Sequence, residues 1–199
     1  MKGELQAPWL VLVPMRGTPY LVDQSVPGWK VTINPDDHTP GLFPLDPSAE
    51  YLDKQTGQTT KWRKYVNHSP YGNAGSQDGI DFYNLDDCLV QSIGFGVRWV
   101  HAPEDIDARL TVRRGNWTQN EAYTVWINDG QIYQGILTDE KDQRVDKPIH
   151  LRKGWNRVAF KSSMWQFLWH AIIEIRDAQG NPVTGLTYSV DPSGKSQSG

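Results

Sequence analysis

Apolar and polar residues alternate in short runs along nearly the whole chain, the period-two signature of β-strands with one buried face. Strands are predicted at residues 9–13, 29–33, 62–66, 80–83, 92–101, 108–113, 122–128, 131–133, 147–151, 157–161, 165–176 and 186–188. Turn-forming residues separate them: Pro27-Gly28, Asn128-Asp129-Gly130, Lys153-Gly154 and the QGNP run at 179–182. No stretch carries a sustained helical period with caps at its ends. Many short strands joined by turns predict an all-β fold, a jelly-roll β-sandwich with long irregular loops at one end.

Two stretches break the alternation. Residues 34–60 are rich in Pro, Asp, Thr and Gly and read as a long loop closing over an edge or end of the sandwich; residues 67–79 (NHSPYGNAGSQDG) form a second. Long irregular loops in a compact domain are often functional. No repeat or internal boundary is visible, so residues 5–190 read as one module and 191–199 as a flexible tail or linker. In the last long strand, Trp165, Phe167, Trp169, Ala171, Ile173 and Ile175 share one parity and point inward, while Gln166, His170, Glu174 and Arg176 share the other.

Composition narrows the function classes. Net charge is −3 and no Lys/Arg run exceeds two, so the chain lacks the electrostatic footprint of a nucleic-acid binder. No apolar run is long enough for a membrane span. The apolar patch at 9–13 is flanked by Pro8 and Pro14, which with Glu4 break a signal-like stretch, and it reads as a first strand, not a leader. The single cysteine, Cys88, has no internal disulfide partner, and its neighbours Asp86 and Asp87 disfavour a reactive thiolate. No nucleophile elbow, zinc signature or P-loop is present, and the chain reads as non-catalytic. Nine Trp in 199 residues stand out, because Trp is costly to expose and awkward to bury fully. That count points to a binding surface.

The second half resembles galactose-binding-like β-sandwich modules, accessory domains of secreted bacterial multidomain proteins. The resemblance rests on FGVRWVHAPEDIDARLTV (95–112), YTVWINDG (123–130), HLRKGWNRVAFK (150–161) and IEIRDAQGNP (173–182), in that order, with PWLVL (8–12) as the first strand. The four second-half motifs fall within residues 95–182, somewhat under half the chain, and shape hairpins rather than hold ligands. The resemblance implies a carbohydrate-binding accessory module, extracellular or periplasmic, which binds a polysaccharide and adjoins other domains of a parent protein. It also admits a structural calcium ion, with Asp36 and Asp37 as the candidate ligands, and implies no other cofactor. The resemblance places Trp126 under the sandwich and Trp169 in its core, and Trp155, following Lys153-Gly154, reads as a plug of the sandwich end. The SSMWQFL segment (162–168) departs from the family's small-residue loop.

Sugars stack their C–H faces on aromatic rings while amide and carboxylate side chains take the hydroxyls. The candidate ligand-binding residues are therefore the loop rings Trp117, Trp165, Tyr71 and Tyr51, with Asn116 and Asn120 beside Trp117. Trp117 also suits a ring covering the sandwich end, and Trp165 divides between an exposed platform and the inward face. An apolar 162–168 loop could instead dock a neighbouring domain or subunit. A lyase or glycosidase built on the sandwich is a more distant alternative, since carboxylate spacing across loops is invisible in sequence.

Overall fold

The computed structural model describes residues 8–16, 20–23, 30–33, 48–52, 57, 59–66, 79–82, 85, 92–114, 121–137, 144–164 and 169–191. Among them there is no helix, and every sheet is antiparallel. The strands are β1 (Trp9–Arg16), β2 (Tyr20–Asp23), β3 (Lys30–Ile33), β4 (Glu50–Leu52), β5 (Thr59–Lys61), β6 (Arg63–Tyr65), β7 (Gly79–Asp81) and β8 (Ser92–Ala102). They continue with β9 (Ile106–Arg114), β10 (Glu121–Ile127), β11 (Gly130–Leu137), β12 (Arg144–Leu151), β13 (Gly154–Met164), β14 (His170–Arg176) and β15 (Thr187–Ser189).

The large sheet runs β11-β10-β13-β8-β1-β6, and β15 also pairs with β8; the small sheet runs β12-β9-β14-β7. From β7 to β10 the chain changes sheet at every step, makes one hairpin from β10 to β11, and then alternates again through β12, β13 and β14. β2–β3 and β4–β5 form separate two-stranded ribbons. Two prolines sit inside strands, and each occupies a place that spares the ladder. Pro14 lies where the β1–β8 register shifts between Leu12 and Met15, and Pro148 lies on β12 at the edge of the small sheet.

The inward faces of both sheets meet in one core that includes Trp9, Val11, Val13, Phe82, Tyr123, Val125, Phe160, Trp169, Ile173 and Ile175. Its rings interlock: Trp9 meets Phe160 edge-on at 5.2 Å, and Phe82 stacks on Trp169 at 4.4 Å and 28°. Room for them comes from β8. A Cβ on Gly94 would lie 2.7 Å from both Phe82 and Val13, and one on Gly96 would lie 2.7 Å from Phe160 Cζ. Both glycines of the SIGFG run thus serve ring packing, not a turn.

Arg98 is fully buried on the same inward face. Its guanidinium lies 4.1 Å from the Trp9 ring centre and 4.4 Å from that of Tyr188, and it donates to the Ile173 carbonyl at 3.1 Å. A desolvated cation over an aromatic face contributes about 2 kcal/mol, which offsets part of the cost of burying the charge.

A second apolar cluster covers the outward face of the large sheet: Leu10, Leu12, Ile93, Phe95, Val97, Trp99 and Ala159, with Trp62 laid over them. Tyr51 on β4 packs here, its ring edge-on to Trp62 at 6.4 Å and its hydroxyl accepting the Trp62 indole N–H at 3.3 Å. Thr60 ties the β4–β5 ribbon down by donating to the Val13 carbonyl at 2.8 Å. The described part of 34–60 is therefore a ribbon associated with a sheet face, not a loop over an edge or end. Its strands are three residues long, too short for alternation to declare itself.

Candidate functional site

The two ends of the paired strands differ. At one end three connections are tight, residues 103–105 joining β8 to β9, Asn128 and Asp129 joining β10 to β11, and Arg152 and Lys153 joining β12 to β13, while residues 177–186 join β14 to β15 there. Asn128 takes a positive φ of 54°, which Asn tolerates. Asn156 fixes this end. Its amide donates to the carbonyls of Arg152 and Gly154, and its oxygen accepts from the Arg152 N–H and from Asn128 Nδ2. Gly154 supplies the φ of 93° that the β12–β13 turn needs.

The opposite end carries the segments that hold the candidate rings Trp117 and Trp165. Residues 82–91 join β7 to β8, 115–120 join β9 to β10, 138–143 join β11 to β12, and 165–168 lie between β13 and Trp169. Glu121, which begins β10, is the direct Cα partner of Met164, which ends β13. The segments holding Trp117 and Trp165 therefore adjoin neighbouring positions of one sheet.

Polar side chains are buried just beneath this end. On the inward face, the Tyr123 hydroxyl donates to the Glu121 carboxylate, and the Trp169 indole N–H donates to Ser162 Oγ at 2.9 Å. On the outward face of the small sheet, buried His170 and Asp81 are Cα partners, with Nε2 3.1 Å from Oδ1 but not aligned for a hydrogen bond. The Asp81 backbone N–H donates to the Tyr65 hydroxyl at 3.0 Å. Glu121 and Asp81 belong to different sheets and opposite faces, and Ser162 Oγ receives a proton donor rather than facing a base.

Burial pushes the Tyr65 hydroxyl up from 10.0 to about 12, more than its hydrogen bond from Asp81 lowers it. The unfolded chain then releases this proton first, so Tyr65 stabilises the fold below about pH 10 and that contribution is lost as pH rises toward about 12. Tyr65→Phe is expected to be slightly less stable at neutral pH, by about 0.5–1.5 kcal/mol for the lost hydrogen bond. It is also expected to lose less stability than the parent between pH 10 and 12, measured as urea midpoints across that range. Equal losses in both proteins would remove Tyr65 from the alkaline transition.

The rest of the small sheet's outward face is a lattice of charge. Asp146, Thr111 and Glu174 share one cross-strand row, flanked by the pairs Arg144–Arg113 and Arg109–Arg176. Burial pushes the Glu174 carboxyl up, but Arg113 at 3.3 Å and Arg176 at 3.0 Å overcome it and hold the group below the usual carboxylate range. The hydrogen bond from Arg144 at 2.7 Å lowers Asp146, assisted by Thr111 at 2.6 Å. Arg113, Arg144 and Arg176 are thus each paired with one of the two carboxylates.

Most sequence-predicted site residues fall outside the described residues: Trp117, Trp165, Tyr71, Asn116, Asn120, and the aspartates Asp36 and Asp37. Tyr51 is described, and it lies on the large sheet's outward face, bonded to Trp62. Residues 162–164 prove to be the end of β13, with Ser162 and Ser163 buried, so the apolar segment shortens to 165–168. Among the described residues no three His, Cys, Asp or Glu side chains converge as a metal site would require, and no helix is long and apolar enough to cross a membrane.

Two structural assignments need correction. Trp126 does not lie under the sandwich; it is half-buried and packs on the outward cluster. Trp155 does not plug the sandwich end; it is 37% exposed on the outward face, edge-on to His101 at 5.1 Å. The signal was parity. Trp155 shares that of Arg157, and Trp126 that of Thr124, opposite to the core residues Phe160 and Val125.

Protein-family models, curated proteins and solved structures were each searched, and none matches the chain.

Proposed function

We propose that this chain is a jelly-roll, galactose-binding-like module that binds carbohydrate without catalysis, through aromatic residues of the 115–120 and 165–168 segments. The strand order and the succession of sheet crossings support the jelly-roll reading. The observation that carries the function is the pairing of Glu121 with Met164, which brings the flanks of the Trp117 and Trp165 segments together. Asn116 and Asn120 belong to the first segment and supply amides for sugar hydroxyls. Tyr51 is bonded to Trp62 and is not part of this reading. The resemblance of the second half supports an extracellular or periplasmic location beside other domains of a parent protein.

The test is electrophoresis through gels containing xylan, galactan, mannan, β-glucan or pectin. At least one is expected to retard the protein. Trp117→Ala and Trp165→Ala are each expected to weaken that binding about thirtyfold, as truncating a Trp hot spot by ~2 kcal/mol does. Absence of retardation at any pH would count against the reading. New reducing ends or unsaturated products would overturn its non-catalytic part.

A further inference from the structure

We propose that the outward face of the large sheet carries a second carbohydrate contact, centred on Trp155, at the end with the tight turns. It shares only its ligand class with the loop reading. Trp155 and Leu52 are the only large hydrophobic residues exposed among the described ones, and Leu52 belongs to the separate β4–β5 ribbon. The Trp155 ring is held in place. Its Cα partner across the ladder is His101, whose ring meets it at 69°, and the adjacent Asn156 pins the backbone through four hydrogen bonds. A ring already fixed loses little freedom when a sugar settles on it.

Polar groups stand beside it. Arg157 lies two residues along the same strand face, about 7 Å away by strand repeat. Its guanidinium is held by Asp129 at 2.7 Å and by the Asn128 carbonyl at 3.1 Å, and it orients an Asp129 carboxylate that is 90% exposed toward solvent. Trp126 sits one strand over in the row of Ala159, about 13 Å further along by the same repeat. Together these groups offer an apolar face for C–H stacking, a carboxylate for hydroxyls and a half-buried second ring within reach of an oligosaccharide.

Size and composition favour a sugar over a protein partner. A stable protein interface covers about 800 Å² per side around a core depleted in charge. Here one exposed ring is bordered by Arg157, Asp129 and His101. One pyranose face fits that setting.

The same gels test the inference, with Trp155→Ala expected to bind about tenfold more weakly than the parent while its thermal midpoint stays unchanged. Trp155→Phe, which keeps a ring, is expected to fall between them. Bound polysaccharide is expected to shield Trp155 from N-bromosuccinimide oxidation, read by peptide mass. Loss of binding in Trp155→Ala with none in Trp117→Ala or Trp165→Ala would uphold this surface and reject the loops. Unchanged binding in Trp155→Ala, or oxidation of Trp155 at the same rate with polysaccharide present, would overturn the proposal. So would absence of retardation of the parent on every gel, or a change in sedimentation caused by Trp155→Ala, which would mark a protein contact.

Discussion

Trp169→Ala is expected to destabilise the protein by about 3–5 kcal/mol, the range for truncating a buried Phe or Trp. The ring is fully buried, stacks on Phe82, and donates its indole N–H to Ser162 Oγ at 2.9 Å. Removing it opens a large cavity and strips a buried hydroxyl of its donor, and β14 begins one residue later. The cavity cannot collapse easily, because Phe82 is itself held by Phe160 at 6.2 Å. A urea midpoint and a thermal scan both measure the loss, with roughly 2–4 °C expected per kcal/mol in a domain of this size. Trp169→Phe keeps part of the stack and gives up the hydrogen bond, so its loss should be visibly smaller. A change below about 1 kcal/mol in Trp169→Ala would contradict the close packing around this ring.

The second large effect comes from the smallest residue in the core. Gly96→Ala adds one methyl to β8, and in an open strand that change would be favourable by about 0.5–1 kcal/mol. At position 96 the methyl would press on the Phe160 ring and lie 2.9 Å from Ile80 Cδ1. Neither can retreat, since Phe160 and Ile80 are both buried and Phe160 is wedged between Trp9 and Phe82. Overpacking therefore outweighs the entropic gain, and a net loss of about 1–3 kcal/mol is expected. Pairing it with Phe160→Leu should recover part of the loss. A double-mutant cycle with no coupling between positions 96 and 160 would show that the clash is relieved elsewhere.

Different kinds of signal made different parts of this architecture readable in the sequence. The strands of the second half follow from alternation, and so does the inward placement of Trp169. Alternation also held the correct faces of Trp126 and Trp155, but the family pattern drew both toward structural positions. Sequence resemblance reports where a residue type recurs, not which side of a sheet it faces. The β4–β5 ribbon escaped notice because three-residue strands carry no period, and β2 because nothing in its four residues outweighed the neighbouring turn signals. Of the candidate site the chain offers chemistry alone, the ring and amides at 116–120 and the ring of Trp165, all outside the described residues. Its placement depends on the Glu121–Met164 register, which no local pattern encodes. The Asp81–His170 and Arg98–Tyr188 contacts join residues far apart in the chain and carry no sequence signature either.

Arg98 has a consequence for how this domain can be joined to others. β1 lines β8 along residues 92–97 and β15 lines the same strand along 99–101, with the Arg98 guanidinium between the rings of Trp9 and Tyr188. The first and last strands of the sandwich thus leave from one seam. A connection between Trp9 and Ser189 would therefore span only a short distance. It also means that trimming the chain before Tyr188 would unseat a cation in the core, far from the cut in sequence.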